Sequence, residues 1–282
     1  MSVSLIPIVN ILFALFSDYA VDVTCPKSPI TIKQANGSFP PSGLTRFPAN
    51  YDCGIEFKIP AGHVVKIEVQ AHVSDPRDGI AINDAAQKVH NLSSNHSTFY
   101  VPAEQAKLWI KTETNSSSFS FTWQYINVTG FTKIPITRTA VASLNISSQH
   151  CYVLKSPYSH VLLSTGSVGG GVDPSLKNIF VYDGANLTAK FVGTLADWMA
   201  FNKTSKSTEK SFTLVNFYDL PSDSYVMFNE DFVFRNYETN PLIIIPKDTV
   251  FRGKQTNSCD SSISTYHFVD TEEVYLTDVW FL

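Results

Sequence analysis

The sequence predicts an all-β chain of two antiparallel β-sandwiches, and three observations carry that prediction. Apolar and polar residues alternate at a period of two from Ile55 to Val69, and again from Phe119 to Tyr125. Turn-forming stretches rich in Gly, Pro, Asn, Asp and Ser separate these runs, and no window of comparable length shows a persuasive helical period. The 282 residues exceed the usual size of one sandwich, and two cores of ordinary size accommodate them more naturally.

The chain opens on an apolar stretch, Leu5 to Phe16, interrupted by Pro7 and Asn10 and followed by small or polar residues. It is too short to span a bilayer and reads as a secretory signal peptide over residues 1–20. No Lys or Arg precedes it, and cleavage after Ala20 would place Asp18 at a disfavoured position, so cleavage is set between Ser17 and Ala20. No later segment holds the roughly 18 to 20 apolar residues of a transmembrane helix, and a secreted, soluble mature protein is expected.

The first sandwich is assigned to residues 21–127. Ile55, Phe57 and Ile59 alternate with Glu56 and Lys58, the Pro60–His63 stretch turns, and Val65, Ile67 and Val69 alternate again, which reads as a β-hairpin with Gly62 at positive φ. Shorter strands are expected at Gly79–Asn83, Thr98–Val101 and Lys107–Thr112, with one helical turn at Ala103–Lys107. Phe119, Phe121, Trp123 and Tyr125 place four aromatics on one face of the last strand.

Residues 128–147 break the rhythm with polar residues and Pro135, and read as a linker or crossing strand. Residues 148–282 form the second unit, with strands expected near Cys151–Val153, Val161–Ser164, Ile179–Tyr182, Phe191–Leu195, Phe212–Phe217, Tyr225–Phe228 and Leu242–Ile245. Ser164–Gly171 and Asn202–Lys210 read as polar loops, and the apolar Val279–Leu282 is expected to close the second sheet.

Eight Asn-x-Ser/Thr sequons, at Asn36, Asn91, Asn95, Asn115, Asn127, Asn145, Asn186 and Asn202, stand where chance placement gives about three. They mark an extracellular N-glycosylated protein, because each occupied Asn must face water with room for a bulky sugar. Four cysteines, Cys25, Cys53, Cys151 and Cys259, form an even set and read as two disulfides with three possible connectivities. If each unit keeps its own pair, loop entropy contributes roughly 3 to 5 kcal/mol per bridge. They lack C-x2-C spacing, and no His pair stands near them, so zinc is not expected. The net charge of −4 and the scattered Lys and Arg leave no electrostatic footprint for a nucleic acid or an anionic membrane.

The segment Phe47-Pro48-Ala49-Asn50-Tyr51-Asp52-Cys53, with the alternating run behind it, resembles the opening of a CUB domain, and the match extends roughly from Cys25 to Tyr125. Asp78 to Asp84 and Phe119 to Tyr125 fall where that fold has its central strand and its final aromatic strand. Ile179-Phe180-Val181-Tyr182-Asp183-Gly184 and Ser222 to Phe228 resemble the same features more briefly in the second half. The density of sequons makes the chain similar to nematode CUB-like secreted proteins. That resemblance implies two CUB-like, jelly-roll-like sandwiches and a role in innate defence against ingested microbes.

Many CUB domains bind calcium through a Glu and two Asp, but here Lys177 or Asn178 stands where the second unit should carry an Asp. Asp173 and Asp223 fall short of the six to eight oxygens calcium takes, and Asp75 and Asp78 read as turn residues beside Pro76. Neither calcium nor any other cofactor is therefore expected. No catalytic residues are assigned. Gly166-Ser167-Val168-Gly169 lacks nucleophile-elbow spacing, and His90 and His96 read as loop residues beside sequons. Glu230-Asp231 and Glu272-Glu273 read as solvated turns.

Aromatics such as Tyr51, Tyr100, Trp109, Tyr182 and Tyr218 read chiefly as core, and Trp198 is the residue expected to face a ligand. The expected function is non-catalytic recognition of an extracellular protein or carbohydrate. A structural or adaptor glycoprotein, and a hydrolase with a dispersed acidic site, are the alternatives.

Overall fold

The computed structural model describes residues 23–84, 88–92, 96–138, 140–167, 173–199, 205–231, 242–244 and 267–269. The expected signal peptide, Asn95, Asn202, Cys259, Glu272-Glu273 and the segment Val279–Leu282 lie outside them, as does the side chain of Trp198. The regular structure among the described residues is nearly all β, in mainly antiparallel sheets with one short α-helix.

Seven strands build the first unit: β1 (Asn36–Phe39), β2 (Thr45–Arg46), β3 (Asp52–His72), β4 (Gly79–Asn83), β5 (Val89–Asn91), β6 (His96–Lys111) and β7 (Ser118–Asn127). They pair in the order β1-β7-β3-β6-β4-β5, with β2 also on β7. The expected hairpin at Pro60–His63 does not form. Asp52 to Ile59 pair with Lys111 to Glu104, and Val64 to Gln70 continue along the same partner from Pro102 to His96. A reversal would have paired the two halves of β3 with each other, whereas β6 is long enough to serve both. Residues 60–63 leave the β6 ladder as a bulge, where Gly62 takes φ +75° and its carbonyl accepts the Val128 amide at 2.9 Å. For the same reason, the separate strands and helical turn expected between Thr98 and Thr112 are one continuous strand, β6.

The bend folds the sheet over onto itself. Phe57 in the first half of β3 meets Phe121 and Trp123 of β7 with ring centroids 6.3 and 6.2 Å apart. The alternating residues close the core between the layers: Ile55, Phe57, Ile67, Val69, Leu108, Ile110 and Phe119 are each 1% exposed or less. Burying each such Ile, Leu or Phe contributes about 1.5–3 kcal/mol. The Cys25–Cys53 disulfide, with Cα atoms 5.6 Å apart, ties the N-terminal segment to the start of β3. Just beyond it, Ile30 bridges to the strand through Ile30 N to Glu56 O and Lys58 N to Ile30 O.

The second unit holds β8 (Thr132–Ile136), β9 (Ala142–Ser143), β10 (His150–Lys155), β11 (Val161–Ser167), β12 (Ile179–Asp183), β13 (Lys190–Thr194), β14 (Ser205–Lys206), β15 (Ser211–Asn216) and β16 (Ser224–Glu230). One sheet runs β13-β12-β15-β10-β8 and the other β14-β11-β16-β9. Leu154, Leu163, Val181, Phe212, Leu214 and Phe228 pack together in the core of this unit. Residues 128–147, read from sequence as a linker, supply β8, which pairs in parallel with β10, and β9, which pairs with β16. They also add Leu144 and Ile146 to this core. Ser164–Ser167, read as loop, continues β11. One short helix, α1 (Leu195–Met199), follows β13, and the Asp197 carboxylate accepts the Thr194 amide at 2.9 Å, the return half of a capping box. A further parallel pair, β17 (Leu242–Ile244) and β18 (His267–Val269), is also described.

The two units meet along an apolar seam. Val64 and Val128 from the first side pack with Phe180, Tyr182, Leu187 and Val215 from the second. Tyr100 of β6 stacks on Phe217 at 5.7 Å and meets the edge of Tyr218 at 4.8 Å, and the Tyr100 amide donates to the Tyr218 hydroxyl at 3.3 Å. Lys88 beside β5 pairs with Asp197 of α1.

Candidate functional site

Asp78, Asp173 and Asp183 use their carboxylates to hold loops. Asp78, expected in an exposed turn, is 4% exposed and accepts the amides of Glu113 and Thr114 at 2.8 and 3.0 Å and the Thr114 hydroxyl at 2.6 Å. Burial alone would push its carboxyl up, but these donors outweigh burial and hold it down at about 2. Asp75 remains the turn residue, chelating Arg77 through backbone and guanidinium.

The second unit repeats the device. Asp183 is 8% exposed and accepts the Thr208 amide at 3.0 Å, the Thr208 hydroxyl at 2.5 Å and the Glu209 amide at 3.3 Å. Asp173 caps the 3-10 turn Pro174–Asn178 and takes hydroxyl donors from Ser175, Ser222 and Ser224 between 2.6 and 2.9 Å. Asp223 is exposed. Among the described residues no group of three or more His, Cys, Asp or Glu is placed to hold a metal ion.

Glu230, expected in a solvated turn, is fully buried at the end of β16. Its carboxylate accepts the Ser156 hydroxyl and pairs with Arg138, both at 2.6 Å, and the Ser156 hydrogen bond together with Arg138 holds it below the usual carboxylate range. Neighbouring Asp231 pairs with Lys206, so the two acids serve different partners. His90 and His96 are strand residues rather than loop residues, and His90 faces the Asp84 carboxylate at 2.9 Å.

Of the aromatics read as core, Tyr51 packs against the first core, Tyr100, Tyr182 and Tyr218 pack in the seam, and Trp109 joins none of these clusters. Tyr51 donates to the Val23 carbonyl at 2.6 Å, Tyr100 and Tyr218 sit in the seam, and Tyr182 is 1% exposed with its phenol pushed up by burial. Trp109 is half-buried beneath the Lys107 ammonium, 4.7 Å from its ring centroid.

The described concave surface lies on the outward face of the first sandwich, a groove of about 440 Å³ lined by Asn36, Gly37, Lys66, Glu68, Thr122, Trp123 and Gln124. Pairing register explains this set. Asn36 lies opposite Gln124, which lies opposite Lys66, and Thr122 lies opposite Glu68, so the even positions of three adjacent strands form one polar face. Lys66 and Glu68 pair at 2.6 Å, which raises the Lys66 ammonium and lowers the Glu68 carboxyl. Trp123, at an odd position, points to the opposite side of β7, where its ring meets Phe57 and Phe121 at the margin of the core: its indole NH donates to the Gln34 carbonyl at 3.0 Å, and its ring lies so close over Gly37 that a Cβ there would sit 2.2 Å from it. The sequence pattern places Trp123 on one face with Phe119, Phe121 and Tyr125, and the structure packs all four in or against the first core.

Five of the described sequon asparagines, Asn36, Asn91, Asn115, Asn127 and Asn145, are exposed, and Asn186 is partly so. Asn127 and Asn186 each hold their side-chain oxygen against the amide and hydroxyl of the Thr two residues on. Cys151 is buried and joins no disulfide among the described residues.

Residues 20–129 match the family model of the CUB-like domain. No curated protein sequence matches the chain. Among solved structures, the CUB1-EGF-CUB2 domains of rat MASP-1 align at 9% identity over 72% of this chain and 99% of that one, with a TM-score of 0.30. The full extracellular region of zebrafish Gpr126/Adgrg6 aligns at 12% identity over 73% of this chain, with a TM-score of 0.31, and the chain spans 36% of that region. The stretch that matches the CUB-like domain is thus the one that holds the Cys25–Cys53 bridge and the folded-over seven-stranded sheet.

Proposed function

We propose that the protein is a secreted, N-glycosylated, non-catalytic binding protein that acts in innate defence by recognising microbial or host glycans or proteins. The observation that carries the reading is a CUB-like domain whose described sequons all reach solvent, a pairing that fits an extracellular recognition module. Its buried carboxylates are committed to loop amides, hydroxyls and one guanidinium. The polar groove on the first sandwich, with Lys66, Glu68, Thr122 and Gln124 as donors and acceptors, suits a carbohydrate or a polar peptide segment.

The second unit is read as a CUB-like sandwich as well, on its two facing sheets and on the Asp183–Thr208 anchor that parallels Asp78–Thr114. The test is secretion of the full chain from a eukaryotic host, followed by titration against bacterial cell surfaces and immobilised glycans. Saturable binding reduced at least tenfold by Lys66→Ala with Gln124→Ala is expected. Saturable binding that the pair leaves unchanged would remove the groove from the account.

A further inference from the structure

Apart from β2, which pairs only with β7 and bears the exposed charge of Arg46, the three sheets of the two sandwiches end, among the described residues, in six terminal strands: β1 and β5 in the first, β13 and β8 in the second, β14 and β9 in the third. A terminal strand presents unpaired backbone groups on which another chain can add a strand. Three of the six are already closed by the protein's own side chains or by the other unit. β8 carries exposed Lys133 and Pro135, the second of which has no N–H to give, and β14 carries Lys206. β13 is covered by the first unit, where Phe191 enters the seam and the following Asp197 pairs with Lys88.

The remaining three, β1, β5 and β9, carry no Lys and no Pro, yet each has a sequon on it or directly after it. Asn36 is the first residue of β1, Asn91 the last of β5, and Asn145 lies two residues beyond β9. All three asparagines are exposed. At Asn145 the side-chain oxygen is fixed by the Ser222 amide at 2.7 Å. On β5 the need is plainest. Val89, two residues before Asn91 and therefore on the same face, is 62% exposed on a terminal strand.

We propose that the N-linked glycans on Asn36, Asn91 and Asn145 close these three sheet edges against a second copy of the chain. This rests on the reading of the protein as a secreted glycoprotein. A branched, hydrated sugar on a strand of two to four residues occupies the space an added strand would need, and so replaces the Lys and Pro used on β8 and β14.

The test uses the full secreted chain, with site occupancy read by glycopeptide mass spectrometry and mass by analytical ultracentrifugation. Asn91→Gln removes a sugar from an edge, and Asn115→Gln removes one from the loop between β6 and β7. The expected result is that Asn91→Gln raises the weight-average mass towards twice that of the monomer, Asn115→Gln does not, and Val89→Lys added to Asn91→Gln restores the monomer. Ser38→Ala and Ser147→Ala, which remove the Asn36 and Asn145 sequons without touching the asparagines, should add to the association. Folded monomers for all three edge variants, singly and combined, would overturn the proposal, as would equal association of Asn115→Gln. Empty edge sites in the secreted wild type would overturn it together with the glycoprotein reading, whereas occupied sites with monomeric variants would overturn it alone.

Discussion

At the scale of single residues, the acidic side chains decide between chemistry and architecture. Asp78 lies between β3 and β4 but answers to donors on the loop after β6, so its burial is a tertiary property. Asp78→Ala would strand the Glu113 and Thr114 donors and cost about 1–3 kcal/mol, measurable by denaturant unfolding. Its carboxyl is depressed from 3.8 to about 2, so its stabilisation is full above about pH 4 and is lost as pH falls towards 2. Asp78→Asn should flatten that part of the acid limb in a plot of melting temperature against pH; an unchanged limb would count against the anchor. The sequence shows Asp beside Pro76 and invites a turn, which is right for Asp75 and wrong for Asp78. Glu230 follows the same pattern: its neighbours look like a polar strand end, while Ser156 and Arg138, which bury it, come from distant parts of the chain.

Among the elements, period-two alternation reveals which residues face the core, and Ile55, Phe57, Ile67, Val69, Phe119 and Phe121 are all placed by it. It does not reveal where the chain turns back. A hairpin and a bent strand share one alternation, and the difference lies in the partner, here β6, which runs the full length of both halves of β3. The strands missed in the sequence, β1, β2, β5, β8, β9, β14 and β18, are short and owe their existence to the strand beside them. The capping box at Thr194 and Asp197 was available as a signal for α1, but five helical residues are too few to show a period.

Gly62 ties the bulge to the seam. Its φ of +75° disfavours any side chain, and a Cβ would come within 2.5 Å of Thr129 Cγ2. Gly62→Ala should therefore cost about 1–3 kcal/mol and lower the melting temperature by several degrees in calorimetry. Gly37→Ala should push the Trp123 ring from its place at the margin of the core, read as a change in tryptophan emission. An unchanged emission spectrum would contradict that packing.

In the whole molecule, the seam couples the units. Phe217 touches Tyr100, Phe131 and Phe180 across and along it, so Phe217→Ala removes packing that belongs to neither sandwich core. The expected outcome is a calorimetric transition that broadens or splits as the units unfold separately, at a cost of about 3–5 kcal/mol. Gly62 lies against both Thr129 and Thr188, so the Asn127 and Asn186 sequons stand side by side at this seam. Asn36 is itself one of the residues that line the groove of the first sandwich, so the glycan proposed there would border the surface proposed for a ligand.

The measurement that bears most directly on recognition without catalysis or calcium is a binding isotherm of the secreted, glycosylated chain on bacterial surfaces and purified glycans. It is to be run in calcium and again after chelation. The account predicts saturable, selective binding, with the ligand recovered intact and the isotherm unchanged by chelation. Binding abolished by chelation, or a ligand consumed during the titration, would contradict it.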